Sequence, residues 1–340
     1  MKVLVTGGCG FIGSHFIRTI FTDRPDWEVI NLDALTYAGN LATTIDFQMH
    51  AKYKFVYGSV TNREMVDRLV QEVDAVVHFA AETHVDRSIA DVEPFIWTNI
   101  LGTQCLVDAC VKYGKRMHHV STDEVFGSLT DTAPKFSEVT PYDPRNPYSA
   151  TKAAADHLVR AAIHTHGLKA TISNCTNNYG PFLYPEKFLA IAITNIIEGK
   201  PIVVHGDGTQ KRDWIQVSDH TQGVLRILEK GKIGETYLLG GDTDISILET
   251  AKMVVKLMGA DESASVVFMA DRPGQDKRYA IDASKIAREL EWRPEHTFEK
   301  GLNEMIDWYR KNQEWWKPIK HSSGYRMWYQ YQVERVRNQV

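Results

Sequence analysis

Gly7, Gly10 and Gly13 follow directly on the apolar run Lys2-Val3-Leu4-Val5-Thr6 and precede a helical pattern through Phe16, Ile17 and Ile20. The run is short and β-branched, as a strand buried on both faces of a parallel sheet requires. Strand, G-x-x-G-x-x-G turn and helix in immediate succession leave few folds open. The glycines permit a tight turn and close backbone approach to a pyrophosphate, and the helix N-terminus offers the anion free amides and a favourable dipole. Glu28 to Leu32 reads as the next strand, and Asp33 closes it 20 residues after Gly13. An acid there bonds the adenosine ribose hydroxyls and repels a 2′-phosphate, so the expected cofactor is NAD rather than NADP.

The pattern continues with strands at Lys54–Gly58, Ala75–Ala81, Met117–Ser121 and Ala170–Asn174, and with helices from Asn62, over Thr98–Tyr113 and over Ala150–His166. Alternation at this spacing predicts an α/β fold, a Rossmann-type doubly wound parallel sheet, with ligands at the carboxyl ends of its strands. Residues 1–177, with 214–240 returning, form the expected NAD-binding domain; residues 178–213 and 241–320 form a smaller mixed α/β substrate lobe, and 321–340 a tail. Asn177 to Pro181 reads as a turn with exposed amides, Lys187–Glu198 as a helix, Pro201–Val204 as a short strand, and Trp214–Val217 as the start of a return to the sheet domain. The region 242–317 reads as short helices and loops, and the aromatic tail from Glu314 is left open between packed and loose.

Two strand ends carry the candidate chemistry, Ala80-Ala81-Glu82-Thr83-His84 and Ser121-Thr122-Asp123-Glu124. Downstream, Tyr148 and Lys152 are four apart and share one face of a helix. A Lys152 ammonium beside an oxidised nicotinamide favours the phenolate, lowering the Tyr148 pKa so that the phenol can take a hydroxyl proton as hydride leaves the same carbon. Dehydrogenation at one carbon needs only Tyr148, Lys152 and the Thr122 hydroxyl. Asp123 and Glu124 add a proton abstraction and a proton donation, which is the requirement of water elimination.

These segments, with Tyr148-Ser149-Ala150-Thr151-Lys152, Asn177-Asn178-Tyr179-Gly180-Pro181, Pro185-Glu186-Lys187, Arg212-Asp213-Trp214 and Asp271-Arg272-Pro273-Gly274, resemble the dTDP-glucose 4,6-dehydratases of the extended short-chain dehydrogenase/reductase superfamily. The resemblance implies a redox-neutral cycle on a nucleotide-diphosphate hexose. Tyr148 deprotonates the 4-hydroxyl, with Thr122 bonded to that oxygen, and hydride passes from C4 to NAD. Glu124 then removes the C5 proton, Asp123 protonates the departing 6-hydroxyl, and hydride returns to C6. The implied cofactor contacts are Gly7, Gly10, Phe11, Ile12, Gly13, Asp33, Ser59, Ala80, Ala81, Thr98, Tyr148 and Lys152. The implied substrate contacts are His84, Thr122, Asn177, Lys187, Arg212 and Arg272. A homodimer joined through Thr98–Tyr113 and Ala150–His166 is also implied. Three positions depart from the family pattern: Ser59 stands for the usual Asp, His205 for Tyr and Gln275 for His. They bear on the base and the sugar, and relatives act on UDP- and GDP-linked glucose or N-acetylglucosamine.

A formal charge of −4 supplies no basic field for nucleic acid. No apolar run reaches membrane-spanning length, and the chain enters a strand at once, so a cytoplasmic protein without membrane or signal segment is expected. Cys9, Cys105, Cys110 and Cys175 have no metal-type spacing, and the adjacent His118 and His119 point to opposite faces of a strand, so no metal site is expected. A nucleotide-sugar 4-epimerase is the rival enzyme, with no use for the acid pair. A non-catalytic NAD-binding regulator has no use for the intact Tyr148 and Lys152.

Overall fold

The structure, a computed structural model, describes residues 1–261, 265–270 and 275–337. In chain order the strands are β1 (Lys2–Thr6), β2 (Glu28–Asp33), β3 (Tyr53–Tyr57), β4 (Ala75–His78), β5 (Arg116–Thr122), β6 (Lys169–Cys175), β7 (Asn177–Tyr179), β8 (Ile202–His205), β9 (Lys211–Arg212), β10 (Trp214–Gln216), β11 (Thr236–Leu239), β12 (Ile245–Ser246) and β13 (Val266–Met269). Seven of them make one sheet in the order β11-β6-β5-β4-β1-β2-β3, and every pairing in it is parallel. The chain runs outward from β1 through β2 to β3, then returns to β4 on the other side. That reversal opens a crevice at the carboxyl ends of β1 and β4, where such sheets bind ligands.

Pleating sends successive side chains to opposite faces. Val3 and Val5 meet Phe16, Ile17 and Ile20 of the helix Phe11–Asp23 and Val224, Leu225 and Leu228 of the helix Val217–Lys230. Leu4 faces the other way, toward Val66 and Leu69, Leu106 and Cys110, and Val159 and Ala162, from the helices Arg63–Gln71, Thr103–Tyr113 and Pro147–His166. Each such fully buried aliphatic side chain contributes about 1.5–3 kcal/mol of transfer free energy. A further core, away from the sheet, joins Leu189 and Ile193, Val204, Val254, Leu302, Ile306 and Tyr309, and Trp315 and Trp316.

Among these elements the structure departs from the sequence reading in two places and decides the aromatic tail. Asn177–Tyr179 is a strand rather than an exposed turn; it pairs in parallel with Trp214–Gln216, and Tyr179 is buried. The helix that follows Trp214–Gln216 packs on the main sheet, and β11 then joins that sheet beside β6. The region read as short helices and loops holds two long amphipathic helices, Ile247–Met258 and Phe298–Lys311. The first is fixed by a capping box of Ser246 and Glu249. The aromatic tail is packed: Trp315 and Trp316 are buried in the helix Gln313–Lys320, and Tyr325 in the helix Ser323–Arg337. His118 and His119 do diverge, His118 to the hydroxyls of Thr171 (2.9 Å) and Ser173 (3.0 Å), and His119 to Asp156 (3.1 Å).

Candidate active site

A cleft of about 520 Å³ opens over the carboxyl ends of β1, β4 and β5. At its floor Gly7 holds φ +74°, and a Cβ there would lie 2.7 Å from the Ala80 amide nitrogen. A Cβ on Gly13 would lie 2.3 Å from the Gly7 carbonyl oxygen. Only glycine fits either place, so the backbone of the turn and the start of the helix Phe11–Asp23 are bare to the cleft. The turn is held from β2: Asn31 Oδ1 accepts from Gly8 N at 3.0 Å, and Asp33 accepts from Cys9 N and Leu35 N, each at 2.8 Å. Asp33 thus positions the loop while lining the cleft. Gly10, Phe11, Ile12, Ser59, Ala80, Ala81 and Thr98 line it too. Ser59 Oγ is engaged with the Thr61 hydroxyl at 2.8 Å. Thr98 sits in a π-helical turn, Ile96–Gly102, where an ordinary helix was expected. Asn99 in that turn accepts from Glu82 N at 2.9 Å and donates to Glu82 O at 3.0 Å, fastening it to the loop after β4.

β5 ends at Thr122, whose side chain caps the following 3₁₀ turn by accepting from Glu124 N at 3.3 Å. Asp123 and Glu124 both lie in that turn and both line the cleft. Asp123 is buried, 2 % exposed, and takes a 3.3 Å bond from the Thr122 hydroxyl. Its burial, reinforced by the charges of Glu124 and Asp213, pushes its carboxyl well above the usual range. Glu124 is half-buried; burial also raises it, but Lys187 and Arg212 pull it back, and Asn146 Nδ2 donates to it at 3.4 Å. Both carboxyls are therefore raised, and only Glu124 has cations beside it that offset the rise.

Tyr148 and Lys152 lie one turn apart near the start of the helix Pro147–His166, and both line the cleft. Asn146 and Ser149 close a capping box at that start, which fixes where Tyr148 emerges. Lys152 Nζ, 4 % exposed, donates to the Val120 carbonyl at 2.9 Å. Burial lowers its pKa while Asp156 opposes that. In the polypeptide by itself, burial and then the charge of Glu124 push the Tyr148 phenol well above the ordinary value, with the Thr122 hydroxyl working against them. In the field of the polypeptide alone, desolvation outweighs Lys152.

Of the expected substrate contacts, Asn177, Lys187 and Arg212 line the same cleft. Lys187 Nζ donates to Thr83 O at 3.3 Å, and the Arg212 guanidinium lies 4.4 Å over the Tyr279 ring. His84 is 6 % exposed and is not among the lining residues; its ring meets Trp328 edge to face at 6.0 Å. Arg272, in Asp271-Arg272-Pro273-Gly274, lies outside the described residues. His205 and Gln275, two of the departures, both line the cleft. The sequence reading passed over Asn31, Asn146 and Tyr279. For Asn146 the signal was present, since Asn-Pro ahead of an apolar helix marks a cap followed by proline at the first helical position.

The family model described as GDP-mannose 4,6 dehydratase matches residues 4–305. A dTDP-glucose 4,6-dehydratase of Mycobacterium tuberculosis (strain H37Rv) is 47% identical over 325 residues, covering 95% of this chain and 97% of its own. Among solved structures, a dTDP-glucose 4,6-dehydratase from Streptomyces venezuelae with NAD bound superposes with a TM-score of 0.91 at 43% identity, over 94% of this chain and all (100%) of that one. A UDP-glucuronic acid 4-epimerase from Bacillus cereus, in complex with UDP-glucuronic acid and NAD, reaches a TM-score of 0.86 at 29% identity, over 92% of this chain and 99% of that one. A dehydratase and an epimerase thus share this fold, and the backbone alone does not separate the two reactions.

Proposed function

The chain belongs to the dTDP-glucose 4,6-dehydratase family, and from that premise we propose how its own residues carry the reaction. The enzyme is a hydro-lyase that converts dTDP-glucose to the 4-keto-6-deoxy sugar, with NAD as cofactor. The glycine cradle, the bare helix start and the Asp33 carboxylate at the cleft suit a dinucleotide without a 2′-phosphate. Bound there, NAD supplies the hydride acceptor for C4 and the donor for C6, and its oxidised ring brings the positive charge that offsets the burial of Tyr148.

Tyr148 takes the 4-hydroxyl proton, and Thr122 bonds the same oxygen. Lys152 holds the end of β5 and contributes the fixed cation beside the phenol. The resulting 4-ketone acidifies the C5–H bond, and Glu124 takes that proton. Asp123 gives its proton to the 6-hydroxyl, which departs as water. Lys187 and Arg212 suit the diphosphate as cationic donors and Asn177 the sugar, with Arg272 expected beside them, whereas His84, outside the cleft lining, is not assigned a substrate contact.

The observation that carries this reading is the unequal setting of the adjacent acids: burial raises both, Asp123 well above the usual carboxylate range, while Lys187 and Arg212 offset part of the rise at Glu124. Paired carboxyls pushed apart in this way divide into acid and base. An epimerase needs neither. The test replaces the 6-hydroxyl of dTDP-glucose by fluorine, a leaving group that needs no proton. Asp123→Asn should fail on dTDP-glucose yet release fluoride from the analogue, whereas Glu124→Gln should fail on both. Loss of both activities in Asp123→Asn would overturn the assignment.

We also propose a cytoplasmic homodimer. Among the described residues no helix is long and apolar enough to cross a membrane, and all four cysteines are free and buried. Ile89, Val92, Ile96 and Trp97 form an exposed apolar group beside the expected dimer helices, Trp97 being 52 % exposed.

A further inference from the structure

At the mouth of the cleft the Arg87 guanidinium lies between two aromatic rings, 4.0 Å from the centroid of Tyr37 and 4.4 Å from that of Trp328. Its Nε and Nη2 both donate to Glu186 Oε2 at 3.3 Å. Tyr37 and Glu186 line the cleft; Trp328 belongs to the last helix, Ser323–Arg337, more than two hundred residues from Arg87 along the chain. One turn earlier on the same helix, Tyr325 is 5 % exposed and its hydroxyl donates to the Pro185 carbonyl at 2.7 Å. These contacts all converge on the segment 185–187 and on the loop that follows β4. Lys187 closes the circuit through its bond to Thr83 O.

Glu186 poses a problem for a site that receives a diphosphate. It is a carboxylate, 7 % exposed, next to the lysine expected to meet that diphosphate. Arg87 answers the charge, and a guanidinium held between ring faces keeps both its charge and its orientation. Remove one ring and Arg87 can leave Glu186, which then turns its charge and its neighbour Lys187 elsewhere.

We propose that the C-terminal aromatic helix is a clamp, in which Trp328 holds Arg87 on Glu186 while Tyr325, through the Pro185 carbonyl, fixes the segment carrying Lys187, and that this clamp sets the affinity for the nucleoside-diphosphate sugar without touching the reacting atoms. Trp328, Tyr325 and Arg87 are positioning residues. The inference rests on the reading that Lys187 meets the diphosphate.

The test compares Trp328→Ala and Trp328→Phe in the full chain, with NAD saturating, by steady-state kinetics on dTDP-glucose and by calorimetric binding of dTDP. Trp328→Ala should raise KM and the dTDP Kd roughly tenfold with kcat within about twofold, as expected when only ground-state binding is lost. Trp328→Phe should restore both, because among the described residues the indole Nε1 has no hydrogen-bond partner and the ring face is what Arg87 uses. An unchanged KM in Trp328→Ala, or a joint loss of kcat and KM that Phe does not rescue, would overturn the clamp. Should Trp328→Ala fail to fold, Arg87→Lys keeps the charge and gives up the fork and the stack. It should show the same split, and an unmoved KM would overturn the proposal equally. Lys187→Ala separates the two readings: weaker dTDP binding there, with none in Trp328→Ala, removes the clamp and leaves the site.

Discussion

Lys152 and Asp156, one turn apart on the same buried helix, grip consecutive residues of β5 just before it delivers Thr122. Lys152 Nζ donates to the Val120 carbonyl at 2.9 Å, and Asp156 accepts from the Ser121 hydroxyl at 2.9 Å. Asp156 also accepts from Tyr142 at 2.7 Å and from Asn174 at 3.2 Å, and Asn174 in turn donates to the Thr122 carbonyl at 2.9 Å. The helix that carries Tyr148 is therefore fastened to the strand that carries the acid pair by two charged side chains of opposite sign.

Asp156→Ala removes the acceptor of Ser121, Tyr142 and Asn174 and the partner of His119. We predict a loss of about 3 kcal/mol in unfolding free energy, the usual scale for removing one member of a buried charged network, read as a shift in the denaturant midpoint. Burial alone would raise the Asp156 carboxyl, but His119, Lys152 and Tyr142 together hold it below the usual range. A depressed carboxyl stabilises the fold above its unfolded pKa, near 4, and that contribution fades as pH falls through the folded value. The gap between wild type and variant should accordingly narrow in strong acid. A midpoint unchanged at neutral pH would contradict the fastening role.

Asp213 has the opposite sign. Burial pushes its carboxyl up to about 7, against the bond it accepts from Thr243 N. A raised carboxyl favours the fold fully below the unfolded pKa of about 4 and loses that advantage as pH climbs to the folded value. Asp213→Asn keeps an acceptor for Thr243 and never ionises. Its melting temperature relative to wild type should therefore be higher at pH 8 than at pH 4.5. A difference that does not change with pH would show that Asp213 is not the group that titrates.

Asp33→Ala removes the acceptor shared by the Cys9 and Leu35 amides as well as the expected ribose contact. NAD affinity should fall roughly 10- to 100-fold, the range for lost hydrogen bonds to a charged group. Fluorescence titration with NAD would measure it, and an affinity within twofold of wild type would displace Asp33 from the ribose.

If the apolar group around Trp97 is a subunit contact, Trp97→Glu should convert the dimer to monomer in light scattering after gel filtration. A wild-type protein that is monomeric at micromolar concentration would remove the contact before any variant is made.

Much of this was legible in the chain because the strongest signals are local. The glycine turn, the spacing from Gly13 to Asp33 and the Tyr148–Lys152 interval each lie within one supersecondary unit, where period and backbone sterics decide. Three-residue strands such as Asn177–Tyr179 carry too few side chains for a period, and its partner Trp214–Gln216 comes from a distant segment. The π-helical turn at Ile96–Gly102 has no sequence period of its own; the tertiary bonds of Asn99 accompany it. The expected lowering of the Tyr148 pKa rests on Lys152 together with the nicotinamide charge, whereas in the polypeptide by itself desolvation is the largest influence. Asp156 went unremarked because its meaning lies in what Ser121, Tyr142 and Asn174 bring to it. The aromatic tail could not be placed from its own composition, since the surfaces that receive Trp328 and Tyr325 are formed by segments 84–87 and 185–187.

The most direct test of the central claim is to incubate the purified protein with dTDP-glucose and with UDP- and GDP-linked glucose and N-acetylglucosamine, and to follow each sugar by mass spectrometry. The account predicts loss of one water from dTDP-glucose, with the new methyl and the 4-ketone visible by NMR, in preference to the others. Unchanged mass with C4-epimerised sugar would contradict it, because the acid pair Asp123 and Glu124 would then have no elimination to perform.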